Sequence, residues 1–257
     1  MRGNVNDRAI LHFSLFLLES NLFFFLLFCF SRCVARGAAS CYALFMKNVR
    51  PTLPAGFCYA DECDFFCLTD AKYASADNFM GRSAKGYNEP FVVVSCAAAD
   101  ALSLAAQSFF LKGYFLKLYD AYRPQRAVDD FAAWAEDLSD NARKAIHYPN
   151  VKKSELFQLD YIARKSGHTR GCAVDLTLVE KETLCELDMG TIFDFMDERS
   201  WHGAKGLTDE QNKNRALLMD TMLFYGFRHN PMEWWHYALV KEPFPNTYFD
   251  FEIGTPK

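Results

Sequence analysis

The chain has 257 residues, of which 51% are hydrophobic, and its formal net charge is -4. This length suits one domain of ordinary size with an appendage, and the hydrophobic share is enough for a substantial core. The net negative charge, without any Lys/Arg run, excludes the electrostatic footprint of a nucleic-acid-binding protein and a polybasic surface for anionic lipid. We therefore expect a small partner molecule and no nucleic acid.

Residues 1–40 have the composition of an export signal or a membrane anchor. Residues 9–30 are mostly Leu and Phe, arginines precede them, and small residues follow at 37–40. The longest uninterrupted apolar run is too short to span a bilayer alone, which favours a cleaved signal over an anchor, with a wrongly assigned start codon as a third alternative. We expect one domain over residues 41–257, located in the periplasm or cell envelope, with the cytoplasm as the alternative. Membrane contact is expected only through an uncleaved N-terminal segment.

The chain contains nine cysteines, and their number does not settle the compartment. Removal of residues 1–40 would leave an odd number, so at least one thiol would be unpaired. Cys58, Cys63 and Cys67 lie close enough in sequence for a disulfide among them if the protein is exported. The alternative is buried, unreactive thiols. The spacing Cys-x4-Cys-x3-Cys does not match a zinc site well.

In the first half of the chain, the β-branched run at residues 91–94 predicts a strand. The Ala/Leu-rich run at residues 100–110 predicts a helix, which Asp100 is placed to cap. Residues 114–122 alternate as a central strand does, the pair Arg123-Pro124 stops that strand, and helical spacing follows at once. Arg123 is therefore expected at a strand end, where side chains reach into clefts. A structural ion pair with Asp120 is the alternative role.

In the second half, residues 172–178 alternate as a buried strand, and residues 189–199 predict a loop. Residues 209–224 form the clearest helical pattern, with Arg215 on its outer face, and residues 232–240 predict an aromatic-rich strand. Together these elements predict an α+β fold: a single domain with a central, mainly antiparallel sheet flanked by helices.

Two clusters hold residues that bind a metal ion and move protons. One contains His168 and Asp175, and the other contains Glu233 and His236. His168, Asp175 and His236 supply three ligands for a zinc ion with one position open, as hydrolytic zinc requires, and Glu233 supplies a base. Because Asp175 lies inside an apolar strand, its carboxylate needs a partner, and we expect a cation.

Glu233 and His236 are three residues apart, so on an ideal strand their side chains would point to opposite faces. A shared site therefore requires a bend. We expect Glu233 to lie on the loop that leads into the strand, just after Pro231.

With these motifs in view, the chain resembles the D-alanyl-D-alanine dipeptidases of the VanX type. These are zinc metallopeptidases related to the D,D-carboxypeptidases and to the hedgehog signalling domain. The resemblance covers about residues 71–251. It rests on five ordered blocks, YASADNFMG (73–81), YDAYRPQRAV (119–128), SGHTRGCAVDLTL (166–178), MGTIFDFMDERS (189–200) and EWWHY (233–237).

The resemblance implies that the three predicted ligands bind one zinc ion and that Glu233 is the general base, which then protonates the leaving amine. It implies that Arg123 polarises the scissile carbonyl. Ser166 and Asp194 match positions associated with the substrate pocket, and we expect Asp194 to bind the ammonium group of a dipeptide. Trp201 stands where a histidine is common, which could alter the dipeptides that fit.

The implied activity is zinc-dependent hydrolysis of the D-alanyl-D-alanine dipeptide in cell-wall peptide turnover. One alternative is a D,D-carboxypeptidase or another murein-peptide hydrolase on the same scaffold, which would need a pocket open beyond the scissile bond. A more distant alternative is a non-catalytic, zinc-stabilised binding module. The presence of both Glu233 and Arg123 argues against it, because a structural zinc site needs neither.

Overall fold

The computed structural model describes residues 50–63 and 67–255. The predicted signal-like segment, residues 1–40, lies outside the described residues, so its cleavage and the start of the domain at residue 41 stay predictions. Among the residues that are described, no helix has both the length and the apolar character needed to cross a membrane.

Strands and helices are mixed along the chain. The described residues form seven strands, β1 (Phe57–Tyr59), β2 (Cys67–Thr69), β3 (Val93–Ser95), β4 (Tyr114–Asp120), β5 (Ala173–Glu180), β6 (Phe227–Asn230) and β7 (Glu233–Leu239). They also form four α-helices, α1 (Cys96–Leu111), α2 (Gln125–Glu136), α3 (Lys144–His147) and α4 (Asp209–Phe224). The main strands and helices predicted from the sequence are present with small shifts at their ends.

A five-stranded sheet lies at the centre, in the spatial order β2-β4-β5-β7-β6. β2 and β4 are parallel, and the other three neighbouring pairs are antiparallel. The predicted α+β fold with a mainly antiparallel sheet is therefore confirmed. β5 is buried along all but its last residue, which places Asp175 deep in the sheet. β1 and β3 form a separate antiparallel pair.

The helices follow their sequence signals closely, with one capping error. α1 begins at Cys96 rather than near residue 100, because the Ser95 hydroxyl accepts a hydrogen bond from the Ala98 amide at 3.3 Å. The predicted cap, Asp100, instead lies inside the helix. α2 starts directly after Pro124, whose fixed φ suits a helix start and whose missing amide hydrogen would have no partner there.

The predicted outer position of Arg215 on α4 is wrong. The side chain is only 4% exposed, because the loop of residues 189–201 covers this face of the helix. Its guanidinium donates to the carbonyl oxygens of Met189, Arg199 and Trp201 at 2.7–2.9 Å. Arg215 thus holds in place the loop that carries Asp194.

Candidate metal centre and active site

A cavity of about 190 Å³ lies beside β5 and β7. The seven residues singled out from the sequence all line it, namely Arg123, Ser166, His168, Asp175, Asp194, Glu233 and His236. These residues come from two strands, two loops and a turn that are far apart in the chain. The fold brings the complete predicted set together in one cavity.

The pairing of β5 with β7 places two of the predicted ligands side by side. Asp175 lies directly opposite His236 in this antiparallel pair, so their side chains leave the sheet on the same face. His168 lies in the 3-10 turn Gly167–Arg170, just before β5. The Ser166 hydroxyl accepts a hydrogen bond from the His168 amide at 3.2 Å and fixes the start of this turn.

The turn ends at Gly171, which has a φ of 78° and lies against the ring of Phe57. A Cβ atom at this position would lie 2.4 Å from the Phe57 ring, so no residue with a side chain fits without a shift. The positive φ is also unfavourable for any residue with a Cβ. Glycine therefore allows the tight return of the chain from the His168 turn into β5.

The three predicted ligands form a compact triangle. His168 Nε2 lies 3.1 Å from His236 Nδ1 and 3.3 Å from Asp175 Oδ2, and His236 Nδ1 lies 2.9 Å from Asp175 Oδ1. Tetrahedral zinc with bonds of about 2.0–2.1 Å separates its ligand atoms by about 3.3 Å. The spacing and the donor types therefore fit a zinc ion with one coordination position left for water or substrate.

Hydrogen bonding orients the imidazole of His168 for this role. Its Nδ1 lies 2.7 Å from the carbonyl oxygen of Ala121, which can only accept, so Nδ1 carries the hydrogen. In the neutral ring, the lone pair is then on Nε2, which faces Asp175 and His236. A backbone carbonyl behind a metal-binding histidine is a common means of fixing the ring and its tautomer.

The charges of the triangle also call for a cation. Burial alone would raise the pKa of the Asp175 carboxyl, but the neighbouring imidazoles hold it well below its usual value. Burial opposes a charge on His236, yet the hydrogen bond and charge of Asp175 raise the pKa of this imidazole. The Asp175 carboxylate thus favours a proton on the His236 ring. A divalent cation can take the place of that proton.

Glu233 borders the triangle. Its Oε2 lies 3.7 Å from His236 Nδ1 and accepts a hydrogen bond from Asn230 Nδ2 at 3.0 Å. Burial raises the pKa of the Glu233 carboxyl, against the attraction of His236, which makes this carboxylate a better proton acceptor.

The predicted placement of Glu233 on a loop is wrong, because it is the first residue of β7. The predicted bend is present, however. One step along β6, from His229 to Asn230, corresponds to four along β7, from Tyr237 to Glu233. This irregularity turns the strand, so Glu233 and His236 line the same cavity despite their spacing of three residues.

Arg123 connects a buried carboxylate to the ligand triangle. Its Nε and Nη2 each lie 2.9 Å from Asp120 Oδ2, and its Nη2 also lies 3.3 Å from Asp175 Oδ2. The guanidinium lies 4.9 Å from the ring centre of Tyr73 and 5.0 Å from that of Phe131. Arg123 therefore forms the ion pair with Asp120 and also lines the cavity, so it has both positions that were considered from the sequence.

Asp194 lies in the loop between β5 and α4 with a φ of 56° and is 8% exposed. The hydroxyl of Tyr73 donates to Asp194 Oδ2 at 2.8 Å, and His147 Nδ1 donates to the backbone oxygen of Asp194 at 3.2 Å. Burial, and then repulsion from Asp175, raise the pKa of the Asp194 carboxyl well above its usual value. This end of the cavity therefore offers an acid that a bound cation would stabilise.

Trp201 does not line this cavity. It borders a neighbouring cavity that shares Asp160 and Tyr161 with the first. The cavity residue that the sequence reasoning missed is Tyr73, which carries no distinctive spacing. Asp120 was considered only as an ion-pair partner of Arg123, and its position at a buried strand end, three residues before Arg123, was the available signal for its link to the site.

A triangle of candidate metal-binding atoms lies in one cavity with a carboxylate and a guanidinium, and this combination is typical of a metal-dependent hydrolase. Residues 65–254 match the family model described as D-ala-D-ala dipeptidase, Peptidase_M15. The chain therefore belongs to the D-ala-D-ala dipeptidase family of peptidases.

Two curated relatives support this assignment. A D-alanyl-D-alanine dipeptidase of Enterococcus faecium is 43% identical over 198 residues, which are 77% of this chain and 98% of the relative. A D-alanyl-D-alanine dipeptidase of Streptomyces coelicolor gives the same identity and coverage. A solved structure of the D,D-pentapeptidase VanY in complex with Zn(II) is 16% identical, with a TM-score of 0.36, over 58% of this chain and 74% of that one. This last similarity is too low to carry an argument.

Proposed function

We propose that the protein hydrolyses the D-alanyl-D-alanine dipeptide to two D-alanines, using one zinc ion bound by His168, Asp175 and His236. The observation that carries this proposal is the presence of the ligand triangle, Glu233 and Arg123 in one cavity of about 190 Å³. Relatives that are 43% identical and matched over nearly their whole length carry the name D-alanyl-D-alanine dipeptidase. The product would enter cell-wall peptide turnover.

Zinc held by the triangle would supply a Lewis acid for the scissile carbonyl and lower the pKa of water towards ~7. Glu233 takes the proton of the attacking water, because its carboxylate lies in the same cavity, 3.7 Å from Nδ1 of His236 in the triangle. It then donates that proton to the departing amine. Arg123 donates hydrogen bonds to the oxyanion that develops on the carbonyl, and Asp120 keeps its guanidinium at the cavity wall.

Asp194 and Tyr73 bind the ammonium group of the dipeptide. Asp194 forms no ion pair within the part of the chain that the structure describes, and its burial makes an isolated charge costly. An incoming ammonium supplies the missing positive charge, and the Tyr73 hydroxyl keeps the carboxylate oriented. A cavity of about 190 Å³ is small beside the roughly 300–1,000 Å³ of sites for drug-sized ligands. This size favours a dipeptide over a murein pentapeptide.

The test is a release assay for D-alanine with the zinc-loaded protein. The substrates are D-Ala-D-Ala, L-Ala-L-Ala and a murein pentapeptide, each with and without chelator. Only the D,D-dipeptide should be cleaved, and chelation should abolish cleavage. Hydrolysis of the pentapeptide but not of the dipeptide would favour the D,D-carboxypeptidase alternative, and activity that resists chelation would contradict the metal mechanism.

Replacement of Glu233 separates catalysis from metal binding. Glu233→Gln should lower kcat by about 100-fold or more while the bound zinc remains, since general base catalysis contributes typically 10²–10⁴-fold. The matched control is Glu182→Gln, a change of the same type at an exposed position outside the cavity. Full activity of the Glu233→Gln variant would show that Glu233 is not the base. If this variant binds less zinc than the wild type, the two proteins are compared by kcat per bound zinc.

We also propose that residues 1–40 direct the domain to the cell envelope. The support is the Leu- and Phe-rich stretch at residues 9–30, which has arginines before it and small residues after it. N-terminal sequencing of the protein from fractionated cells tests this directly. A first residue near 38–41 in the envelope fraction supports a cleaved signal. A chain starting at Met1 in the cytosol would contradict both cleavage and export.

A further inference from the structure

Two cysteines lie side by side in a part of the chain that precedes the family match. Cys58 is in β1 and Cys63 directly follows the 3-10 turn Ala60–Glu62, whereas the family model begins at residue 65. The turn reverses the chain, so the two sulfur atoms come within 3.3 Å of each other. This pair belongs to none of the site residues described above.

We infer that Cys58 and Cys63 are a disulfide-forming pair, oxidised when the protein meets a disulfide oxidant. A disulfide bond is about 2.0 Å long, so small rotations of the two side chains would close the gap. Both residues are half-buried, which leaves the pair within reach of a small oxidant. In the reduced state, the thiols can also donate to the carbonyl oxygens of Val94 and Tyr59, at 3.7 Å and 3.2 Å.

The oxidation is a balanced exchange. The two S–H bonds of Cys58 and Cys63 break, one S–S bond forms, and two electrons with two protons pass to the oxidant. With oxidised glutathione as the oxidant, its disulfide bond is broken and two molecules of reduced glutathione are released. Burial raises the pKa of both thiols, so the thiolate that starts the exchange is scarce at neutral pH. The reaction should therefore be slow at neutral pH and faster at alkaline pH.

Cys67 and Cys96 are the competing partners. The Cys67 sulfur faces the carbonyl oxygen of Ala60 at 3.7 Å, and burial raises the pKa of this thiol to about 12. Cys96 is exposed at the start of α1 and lies near enough to Cys58 to influence its pKa. The short contact between Cys58 and Cys63 favours their pairing over either alternative.

The cross-link would act on the strand that supports the His168 turn. Phe57, next to Cys58, packs its ring against Gly171 at the end of this turn. β1 pairs with β3 residue by residue, and the Ser95 amide at the end of β3 donates to the Gly171 carbonyl oxygen at 3.0 Å. A disulfide would therefore hold β1 in the position that backs the turn. Because the closed loop is short, the gain in stability is expected to be modest.

Peptide mapping tests the pairing directly. The full chain is incubated in a glutathione redox buffer, remaining thiols are alkylated, and the protein is cleaved after lysine and glutamate and before aspartate. Cleavage after Lys47 separates Cys58 from the cysteines that precede it. Cleavage after Glu62 separates Cys58 from Cys63, and cleavage before Asp64 separates Cys63 from Cys67. The expected result is one linked pair of fragments that carries Cys58 and Cys63 and that reduction separates. Linkage through Cys67 or Cys96, or complete alkylation of all four thiols, would overturn the inference.

Thermal unfolding tests the consequence. The oxidised protein should have a higher Tm than the reduced protein, and the difference should vanish in Cys63→Ser but persist in the matched control Cys67→Ser. Equal Tm values for oxidised and reduced wild type would overturn the proposed support of β1. If Cys63→Ser fails to fold, the mapping of the wild-type chain still decides the pairing. Neither measurement uses peptidase activity, so the outcome is independent of the proposed function.

Discussion

Replacing Asp120 with Asn would test how the cationic donor of the cavity is held in place. Asp120 is 2% exposed and binds the Arg123 guanidinium through Oδ2, while its Oδ1 accepts the Tyr87 hydroxyl at 2.6 Å. Asn has nearly the same shape and can still accept one hydrogen bond, but it carries no charge. Among the described residues, the guanidinium would then keep one carboxylate within 3.3 Å, that of the predicted ligand Asp175. We expect Arg123 to shift towards Asp175 and away from its position at the cavity wall.

The expected losses follow from the buried setting. Removing the charge of one partner in a buried ion pair costs about 3–5 kcal/mol of stability. Loss of one well-placed donor to an oxyanion costs about 3 kcal/mol in the transition state, which is on the order of 100-fold in kcat. Asp120→Asn should therefore lower both Tm and kcat. The kcat is compared per bound zinc, because Asp120 Oδ2 also lies 3.6 Å from Nδ1 of the predicted ligand His168.

Asp130→Asn provides the matched control. Asp130 is 3% exposed and bound by Arg82 at 2.7 Å and 3.1 Å, but it lies outside the cavity. Because the Arg82 side chain is 47% exposed, Asp130→Asn should cost less stability than Asp120→Asn, and it should keep kcat when assayed well below its Tm. The assay compares kcat, KM, zinc content and Tm for both variants. The reasoning is refuted if Asp120→Asn keeps kcat within about twofold, a difference of ~0.4 kcal/mol, or if both variants lose kcat equally.

Three further changes probe the substrate end, the turn and the pH response. Tyr73→Phe removes the hydroxyl that donates to Asp194. It should raise KM for D-Ala-D-Ala by about tenfold or more, because hydrogen bonds to charged groups contribute roughly 1.5–3 kcal/mol. An unchanged KM would contradict the ammonium site. Ser166→Ala removes the acceptor for the His168 amide and should cost ~1 kcal/mol in denaturant unfolding, so an unchanged unfolding midpoint would contradict its capping role. Glu242 accepts hydrogen bonds from Arg170 and Arg228, which lower the pKa of its carboxyl group below the ordinary value of 4.5. The carboxylate therefore stabilises the fold above pH 4.5, and this stabilisation is lost as the pH falls through the lowered folded-state pKa. Glu242→Gln should therefore be less stable than wild type at pH 7, with the gap closing in acid, and a gap that widens on acidification would contradict this pairing.

The candidate metal ligands and the candidate base could be singled out from the sequence because metal binding restricts residue types strongly. Buried His, Asp and Glu are rare unless they have partners, so His168, Asp175, Glu233 and His236 stand out in apolar surroundings. The helix from residue 125 was also predictable, since periodic apolar positions follow Pro124. The helix from residue 209 carries a start signal in its capping box, which Thr208 and Gln211 form. Such signals are local, and local signals are visible in a single sequence.

The supporting contacts could not be predicted, because they join residues that are distant in the chain. Tyr73 reaches Asp194 across 121 positions. Arg215 was expected on an outer face, since a charged residue on an amphipathic helix is usually solvated. It is buried because a separate loop brings three carbonyl oxygens to it. Partners of this kind depend on the tertiary fold and leave no spacing that a sequence pattern could show.

The strand register decides whether these residues make a site. Asp175 and His236 share a face only because they are directly opposite each other, and a slip of one residue would turn one of them to the other side of the sheet. The irregular pairing of β6 with β7 then brings Glu233 to the same cavity. Trp234 and Trp235, between these residues, are 2% and 3% exposed, so the bend is packed into the core. Since shifting the register would move both indoles out of the positions in which they are packed, the packing that stabilises the sheet also fixes the distance between Glu233 and the ligand triangle.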